Sequence, residues 1–193
     1  YLMQLCSHRN VIRPLAVFRD GSKIDFVMEL AGQSLSSKVE QFFFYTRSEQ
    51  LEMARQLLDG FSHMHSLRVL HRDIKPLNLL EGLDNIYKIA DFGTAEQLPK
   101  DGDVISGKLV GSPGFGSPEA VRQKYSKKTD VFALGMSFYY LFNGRFPLGM
   151  SKIKEPVALI FYMGTGKYQS EYDEHIVPRL SAMEGTFEGL ICR

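Results

Sequence analysis

The clearest hydrophobic and polar pattern lies between residues 46 and 64. Thr46 and Glu49 form the S/T-x-x-E signature of a helix N-terminus. Apolar residues then recur with a period near 3.6 at Leu51, Ala54, Leu58, Phe61 and Met64. This period predicts an amphipathic helix whose apolar stripe packs into the core.

Other apolar runs predict strands. Leu15–Phe18 and Ile24–Met28 flank Asp20-Gly21, a strong turn signal, and therefore predict a β-hairpin. Leu79-Leu80 and Tyr87–Ile89 predict a second pair of short strands. The first residues, Leu2 to Leu5, have the pattern of a helix end.

A second long helix is predicted for the run that starts at Asp130 and continues to Phe142. It is apolar on all sides, which is typical of a buried helix. Asn143-Gly144 can adopt positive φ and should end it. Residues 148–193 carry weaker signals of further helices.

Length and composition narrow the class of protein. The 193 residues suffice for one domain with a sizeable core, and 44% hydrophobic with 23% charged residues is ordinary globular composition. The net charge of +1 gives no bulk attraction to nucleic acids or membranes. Cys6 and Cys192 provide no disulfide framework, which favours a reducing compartment. We therefore expect an intracellular protein, cytoplasmic or nuclear, without nucleic-acid or membrane partners.

The candidate chemistry lies in three short blocks. They are His-Arg-Asp-Ile-Lys-Pro-Leu-Asn at His71–Asn78, Asp-Phe-Gly at Asp91–Gly93, and Ser-Pro-Glu at Ser117–Glu119. Phosphoryl transfer needs positioning and charge neutralisation more than covalent help, and carboxylate and amide oxygens suit magnesium. A lone Asp in a loop is usually a turn former, so the argument depends on all three blocks together.

In this order, the blocks resemble the catalytic loop, the metal-binding loop and the end of the activation segment of eukaryotic protein kinases. The resemblance implies an α+β, bilobal fold with a mostly helical large lobe and a remnant of the β-rich small lobe. It implies that Asp73 accepts the proton of the substrate hydroxyl and that Lys75 neutralises the transferred group. Asn78 and Asp91 would bind Mg²⁺, while His71 would pack in the interior.

The resemblance also implies an ATP site. Met28 would guard the back of the adenine pocket, and the backbone of Glu29, Leu30 and Ala31 would bind adenine as the hinge. Leu80 would close the pocket from below. The expected cofactors are ATP and Mg²⁺, and the expected partner is a protein substrate with a Ser or Thr acceptor.

The resemblance covers nearly the whole chain and implies one catalytic domain over residues 1–193. Residues 1–28 would be the small-lobe remnant, 29–33 the hinge and 34–193 the large lobe. The family's glycine-rich loop, strand lysine and helix glutamate are absent from this sequence. We therefore expect a domain truncated at both ends, and no useful activity from these 193 residues alone.

Further positions follow from the same resemblance. Lys75 in the His-Arg-Asp-x-Lys-Pro pattern indicates serine/threonine specificity, and the chain has no Trp. Ser112 stands where the family has a Thr that bonds the catalytic Asp and Lys. Asp130 should accept backbone N–H bonds from the catalytic loop.

Arg72 suggests control of the activation segment by an anion, since an arginine before the catalytic Asp typically pairs with a phosphate. Ser106 is the nearest upstream hydroxyl for an activating kinase to modify, with Asp101 or Asp103 as alternative permanent anions.

Three alternatives stand beside this interpretation. Gly102-x-x-x-x-Gly107-Lys108 matches most of a P-loop, although Leu109 replaces the required Ser or Thr. A small-molecule kinase of the aminoglycoside or choline type would share the catalytic Asp and Asn but lack the block at 111–119. A pseudokinase, a scaffolding module with the same fold, is the main functional alternative.

Overall fold

The computed structural model mixes α-helices with small antiparallel sheets, which confirms the predicted α+β class. The described residues are 1–41, 45–83, 85–146, 150 and 152–164. Among them no helix is both long enough and apolar enough to cross a bilayer. Of the helices expected between 148 and 193, the described residues contain one, which ends at Gly164, and residues 165–193, with Cys192, lie outside the described residues.

The helices and strands follow the chain in this order. The α-helices within the described residues are α1 (Leu2–Leu5), α2 (Leu35–Glu40), α3 (Arg47–Ser66), α4 (Pro118–Val121), α5 (Lys127–Asn143) and α6 (Pro156–Gly164). The strands are β1 (Pro14–Asp20), β2 (Lys23–Met28), β3 (Val69–Leu70), β4 (Leu79–Glu81), β5 (Tyr87–Ile89), β6 (Glu96–Gln97), β7 (Ile105–Ser106) and β8 (Lys124–Tyr125). They form antiparallel pairs, β1 with β2, β3 with β6, β4 with β5, and β7 with β8.

The chain divides into two compact units. The first comprises Tyr1–His71 and Pro76–Gly102, and the second comprises Arg72–Lys75 and Asp103–Arg193. The hinge expected at residues 29–33 falls within the first unit. The division into small lobe, hinge and large lobe stays a prediction.

Helix α3 confirms the predicted N-terminus. The Thr46 hydroxyl accepts the Glu49 N–H at 3.3 Å, and the Glu49 carboxylate accepts the Thr46 N–H at 2.7 Å. These two bonds satisfy backbone donors that a helix start leaves without intrahelical acceptors.

The predicted apolar stripe of α3 is partly wrong. Leu51 and Leu58 are 45% and 50% exposed. The buried face of the helix is instead formed by Met53, Ala54, Gln56, Leu57, Gly60, Phe61 and Met64. Leu51 and Leu58 are seven residues apart and share one face, but successive residues turn by about 100°. Met53 follows Leu51 by two positions, which is a rotation of about 200° around the helix axis. Since Met53 faces the core, Leu51 lies on the opposite side of the helix.

The predicted hairpin is present as β1 and β2, with its turn one residue later than the predicted Asp20-Gly21. Val17 lies opposite Phe26, and Asp20 lies opposite Lys23, so the turn falls at Gly21-Ser22. The pair of β4 and β5 is confirmed as well, with Leu79 opposite Ile89.

Helix α5 begins three residues earlier than predicted and ends at Asn143, followed by Gly144 at φ 66°. Because Gly tolerates this left-handed conformation, the expected helix end is confirmed. The helix is not buried on all sides, since Val131 is 57% exposed. Its Met136 joins Met150, Leu159 and Met163 in the core of the second unit.

Candidate active site

His71 lies in the interior of the first unit, close to the segment that carries Asp91. It is fully buried, as predicted, and its Nε2 lies 2.9 Å from the carbonyl oxygen of Ala90. Its ring meets that of Phe92 edge-on, with 5.5 Å between centroids. The Thr94 hydroxyl donates to the His71 carbonyl oxygen at 3.0 Å. His71 thus contacts residues on both sides of Asp91.

A buried polar network holds the strand that leads to Asp91. The Asn10 amide nitrogen donates to Gln56 Oε1 at 3.1 Å and to the Tyr87 carbonyl at 2.8 Å. Gln56 Oε1 also accepts the Tyr87 N–H at 2.9 Å, and the Ile89 N–H donates to the Asn10 carbonyl at 2.9 Å. Because buried amides are costly without partners, this network specifies the position of β5 against α3.

The β4–β5 pair brings the two predicted metal ligands to neighbouring backbone positions. Asn78 directly precedes β4, and its carbonyl oxygen accepts the Ala90 N–H at 2.9 Å. Asp91 follows with φ 62°, and its Oδ1 accepts the Gly93 N–H at 3.1 Å. Asn78 is buried, whereas Asp91 is exposed. An amide oxygen and a carboxylate are hard donors of the kind that Mg²⁺ prefers, so this pair fits the implied ion.

In the second unit, Asp73 lies in a closed ring of hydrogen bonds. Lys75 Nζ donates to Asp73 Oδ2 at 2.8 Å and to Ser112 Oγ at 2.7 Å. The Ser112 hydroxyl donates to Asp73 Oδ1 at 2.7 Å. The expected contact of Ser112 with both residues is confirmed. Both carboxylate oxygens therefore have fixed donors, which orients Asp73 as a proton acceptor requires.

Two contacts fix Arg72, the residue before Asp73. Its N–H donates to Oδ1 of the buried Asp130 at 3.0 Å, so the structural contact predicted for Asp130 is confirmed. Its carbonyl oxygen lies against Gly111, where an added Cβ would come within 2.9 Å. The backbone at Gly111 therefore passes close to that of Arg72.

Tyr125 was not anticipated from the sequence. It is 1% exposed, and its hydroxyl lies within 3.3 Å of the backbone of Lys108 and Val110. The Arg72 guanidinium lies over its ring, 5.3 Å from the centroid. A Tyr five residues before the first acidic residue of α5 has no distinctive sequence pattern, because all its partners belong to other segments.

The residues expected to contact adenine all belong to the first unit. The Gly32 N–H donates to the Glu81 carbonyl at 2.8 Å, and Ser34 forms an isolated bridge with Leu80. Leu80 is half-buried and lies beside the segment that follows the expected hinge. Met28 and Leu30, at the end of β2 and just after it, are 46% and 80% exposed. Ala31 is half-buried.

Glu29 has a second role that the sequence did not indicate. Its carboxylate lies 3.2 Å from Lys88 Nζ and accepts the Arg13 N–H at 2.8 Å. Lys88 is buried and also donates to the Arg9 carbonyl at 2.8 Å. A buried ammonium needs such partners, so this group ties the expected hinge to β5.

The P-loop alternative is wrong. Within Gly102–Lys108, Ile105–Ser106 form β7, paired with β8. Residues 109–117 are all described and contain no helix. A P-loop requires a helix N-terminus directly after the glycine-rich turn to hold the phosphates.

The sequence of this chain is similar to a family of known proteins. The family described as "Protein kinase domain" matches residues 1–191. The chain is 31% identical over 169 residues, 86% of its length, to mitogen-activated protein kinase kinase kinase ANP1 of Arabidopsis thaliana. It is 34% identical over 145 residues, 72% of its length, to serine/threonine-protein kinase H1 of Homo sapiens.

A third relative aligns over more of the chain. Mitogen-activated protein kinase kinase kinase 1 of Homo sapiens is 29% identical over 185 residues, 93% of this chain. The aligned segments span 25%, 34% and 12% of the lengths of these three relatives, in the order given. The chain therefore spans about a third or less of the length of each of these relatives.

Proposed function

The chain belongs to the protein kinase family, and on this premise we propose that the protein carrying it transfers the γ-phosphoryl group of ATP to a Ser or Thr hydroxyl of a protein. The observation that carries the proposal is the ring of hydrogen bonds among Asp73, Lys75 and Ser112. It places an oriented carboxylate beside a fixed ammonium group, and phosphoryl transfer uses both of these groups.

In the proposed reaction, the substrate hydroxyl oxygen forms a bond to the γ-phosphorus while the bond from that phosphorus to the β,γ-bridging oxygen breaks. The hydroxyl proton passes to Asp73, and the electron pair of the broken bond leaves with ADP. Lys75 neutralises charge on the transferred group, since its Nζ is held 2.8 Å from Asp73 Oδ2.

Asn78 and Asp91 would hold Mg²⁺. When bound, the ion neutralises charge on the ATP phosphates. The buried Asn78 and the exposed Asp91 are linked through the bond between the Ala90 N–H and the Asn78 carbonyl. Met28, Glu29, Leu30, Ala31 and Leu80 would contact adenine.

The names of the relatives support serine/threonine specificity over a non-catalytic module, because the human H1 relative is named as a serine/threonine kinase. Asp73, Asn78 and Asp91 are all present here, which agrees with a catalytic role. We further propose that another kinase activates the protein by modifying its activation segment, and that it acts inside the cell, in the cytoplasm or nucleus.

The direct test is Asp73→Asn in the natural protein that contains this chain. With radiolabelled ATP and a mixed Ser/Thr acceptor protein, turnover should fall by roughly 10²–10⁴. Asp25→Asn, an exposed position on β2, is the matched control and should keep wild-type turnover. Equal turnover of Asp73→Asn and wild type would refute the assignment, as would labelling confined to Tyr residues of the acceptor.

A further inference from the structure

We propose that Tyr125 is a positioning residue that keeps Ser112 on the carboxylate of Asp73. The inference rests on the proposed kinase function and adds a residue to its machinery. Tyr125 does not contact the reacting atoms in this proposal. It acts through two neighbours, the activation-segment backbone on one side and Arg72 on the other.

The hydroxyl of Tyr125 holds the activation segment just before Ser112. It accepts the Val110 N–H at 2.8 Å and lies 3.2 Å from the Lys108 carbonyl and 3.3 Å from the Val110 carbonyl. A phenol has one proton to donate and can also accept, so one group contacts the backbone of two residues of the loop, Lys108 and Val110. Val110 is only two residues from Ser112.

The ring of Tyr125 supports the catalytic loop. The guanidinium carbon of Arg72 lies 5.3 Å from the ring centroid, within the range of a cation–π contact. Arg72 directly precedes Asp73, and its N–H is bonded to Asp130. One buried side chain therefore contacts the segments that carry both Ser112 and Asp73.

The backbone gives a second attachment at the same place. Ile105 lies opposite Tyr125, and Ser106 lies opposite Lys124, in the β7–β8 pair. At Gly111, φ is 103°, and an added Cβ would meet the Arg72 carbonyl oxygen at 2.9 Å. The loop thus turns sharply against Arg72 immediately after the residue that Tyr125 holds.

These contacts form a continuous path of hydrogen bonds and packing. The Tyr125 hydroxyl fixes Val110, the turn at Gly111 follows, and the Ser112 hydroxyl then reaches Asp73 Oδ1 at 2.7 Å. Loss of the Tyr125 hydroxyl frees the 108–110 backbone while leaving the ring in place. Ser112 would then occupy its position on Asp73 for a smaller fraction of the time.

The test compares Tyr125→Phe, Ser112→Ala and the double variant in the natural protein that contains this chain. We expect Tyr125→Phe to lower kcat roughly ten-fold, the scale of one or two lost hydrogen bonds, with KM for ATP within about two-fold of wild type. In the Ser112→Ala background, the same change should cost less than about two-fold, because residues acting on one path are not additive. Tyr139→Phe removes a hydroxyl from α5 and is the matched control.

A purely structural role would instead give the same fractional loss in both backgrounds, and that result would overturn the inference. Wild-type kcat for Tyr125→Phe would overturn it too. Hydrogen exchange gives an independent readout, since the Val110 amide should exchange faster in Tyr125→Phe. Unchanged exchange there would contradict the proposed anchor, whatever the activity. Full activity of Asp73→Asn would instead count against the kinase assignment itself, so the two failures are distinguishable.

Discussion

The backbone N–H of Arg72 donates to the buried carboxylate of Asp130 at 3.0 Å, across 58 positions of the chain. Asp130 lies in the first turn of α5, where the N-terminal helix dipole favours a negative charge. The catalytic loop is thereby fixed to the start of a helix whose Met136 packs in the core of the second unit.

Replacing Asp130 with Ala should lower the free energy of unfolding by about 2–3 kcal/mol, because it leaves the Arg72 N–H without its charged acceptor. Asp130→Asn should cost less, since an amide oxygen can still accept that bond. Chemical denaturation measures both. Asp25→Ala, at an exposed position, should change the value by less than about 0.5 kcal/mol. A similarly small effect of Asp130→Ala would contradict the prediction.

Gly60 lies on the buried face of α3, against Ile89 of β5. An added Cβ would come within 2.8 Å of Ile89 Cδ1 and 3.0 Å of the Asn10 carbonyl oxygen. Ala favours helices over Gly by about 1 kcal/mol, but overpacking should outweigh this preference. We expect Gly60→Ala to destabilise the protein by about 1–3 kcal/mol in thermal or chemical unfolding.

The control for Gly60 is Ser62→Ala, at an exposed position of the same helix, which should be neutral or slightly stabilising. Gly60→Ala combined with Ile89→Val should recover part of the loss, since Val lacks the Cδ1 atom. A stabilising effect of Gly60→Ala would show that the two elements separate easily.

Ser106 remains our predicted site of activating phosphorylation. It is exposed on β7, opposite Lys124, so a phosphate there would find a cation across the strand pair. In the natural protein that contains this chain, phosphatase treatment should lower activity, and Ser106→Ala should give the same low activity with or without treatment. Ser22→Ala, in the β1–β2 turn, should behave as wild type. Equal activity in all samples would exclude Ser106.

His8 should make the fold less stable in mild acid. Burial, and then the charge of the stacked His63 ring 5.0 Å away, lower the pKa of His8 below its ordinary value of 6.5, while Asp59 opposes this shift and Arg9 adds to it. The folded protein therefore binds this proton less readily than the unfolded chain. The stabilisation is present above pH 6.5 and is lost as the pH falls through the lowered pKa.

Unfolding free energies at about pH 7.5 and about pH 5.5 test this prediction. Wild type should lose stability at the lower pH, and His8→Gln should lose less. His8 Nδ1 accepts the Asn10 N–H at 3.2 Å, and Gln retains an acceptor for that bond. An equal loss in the two proteins would assign the acid sensitivity to other groups.

The outcome for α3 shows how far the sequence alone reaches. The capping residues Thr46 and Glu49 fixed its start, because both bonds are made within one helical turn. The 3.6-residue period correctly predicted a helix. It also predicted that Leu51 and Leu58 would be core positions, whereas both are exposed. A period does not say which face is covered, since that depends on the elements that pack against the helix.

The candidate site likewise has residues that the sequence predicted and residues that only the structure revealed. Asp73, Lys75, Asn78 and Asp91 were identified from short motifs whose order and spacing belong to one family. Their supports were only partly predictable, because Ser112 and Asp130 occupy recognisable motif positions, whereas Tyr125 has no such pattern.

The sequence by itself determined the local elements, the β1–β2 hairpin, the capped α3 and the end of α5, because each depends on residues within a few positions of one another. Only the tertiary structure decided that Lys88 would pair with Glu29. It also decided that the Tyr125 hydroxyl would accept the Val110 N–H and that the Tyr125 ring would pack against Arg72. Those contacts join residues 15 to 59 positions apart in the chain. Such pairs form only when whole elements pack, and the burial of their polar atoms then makes each partner necessary.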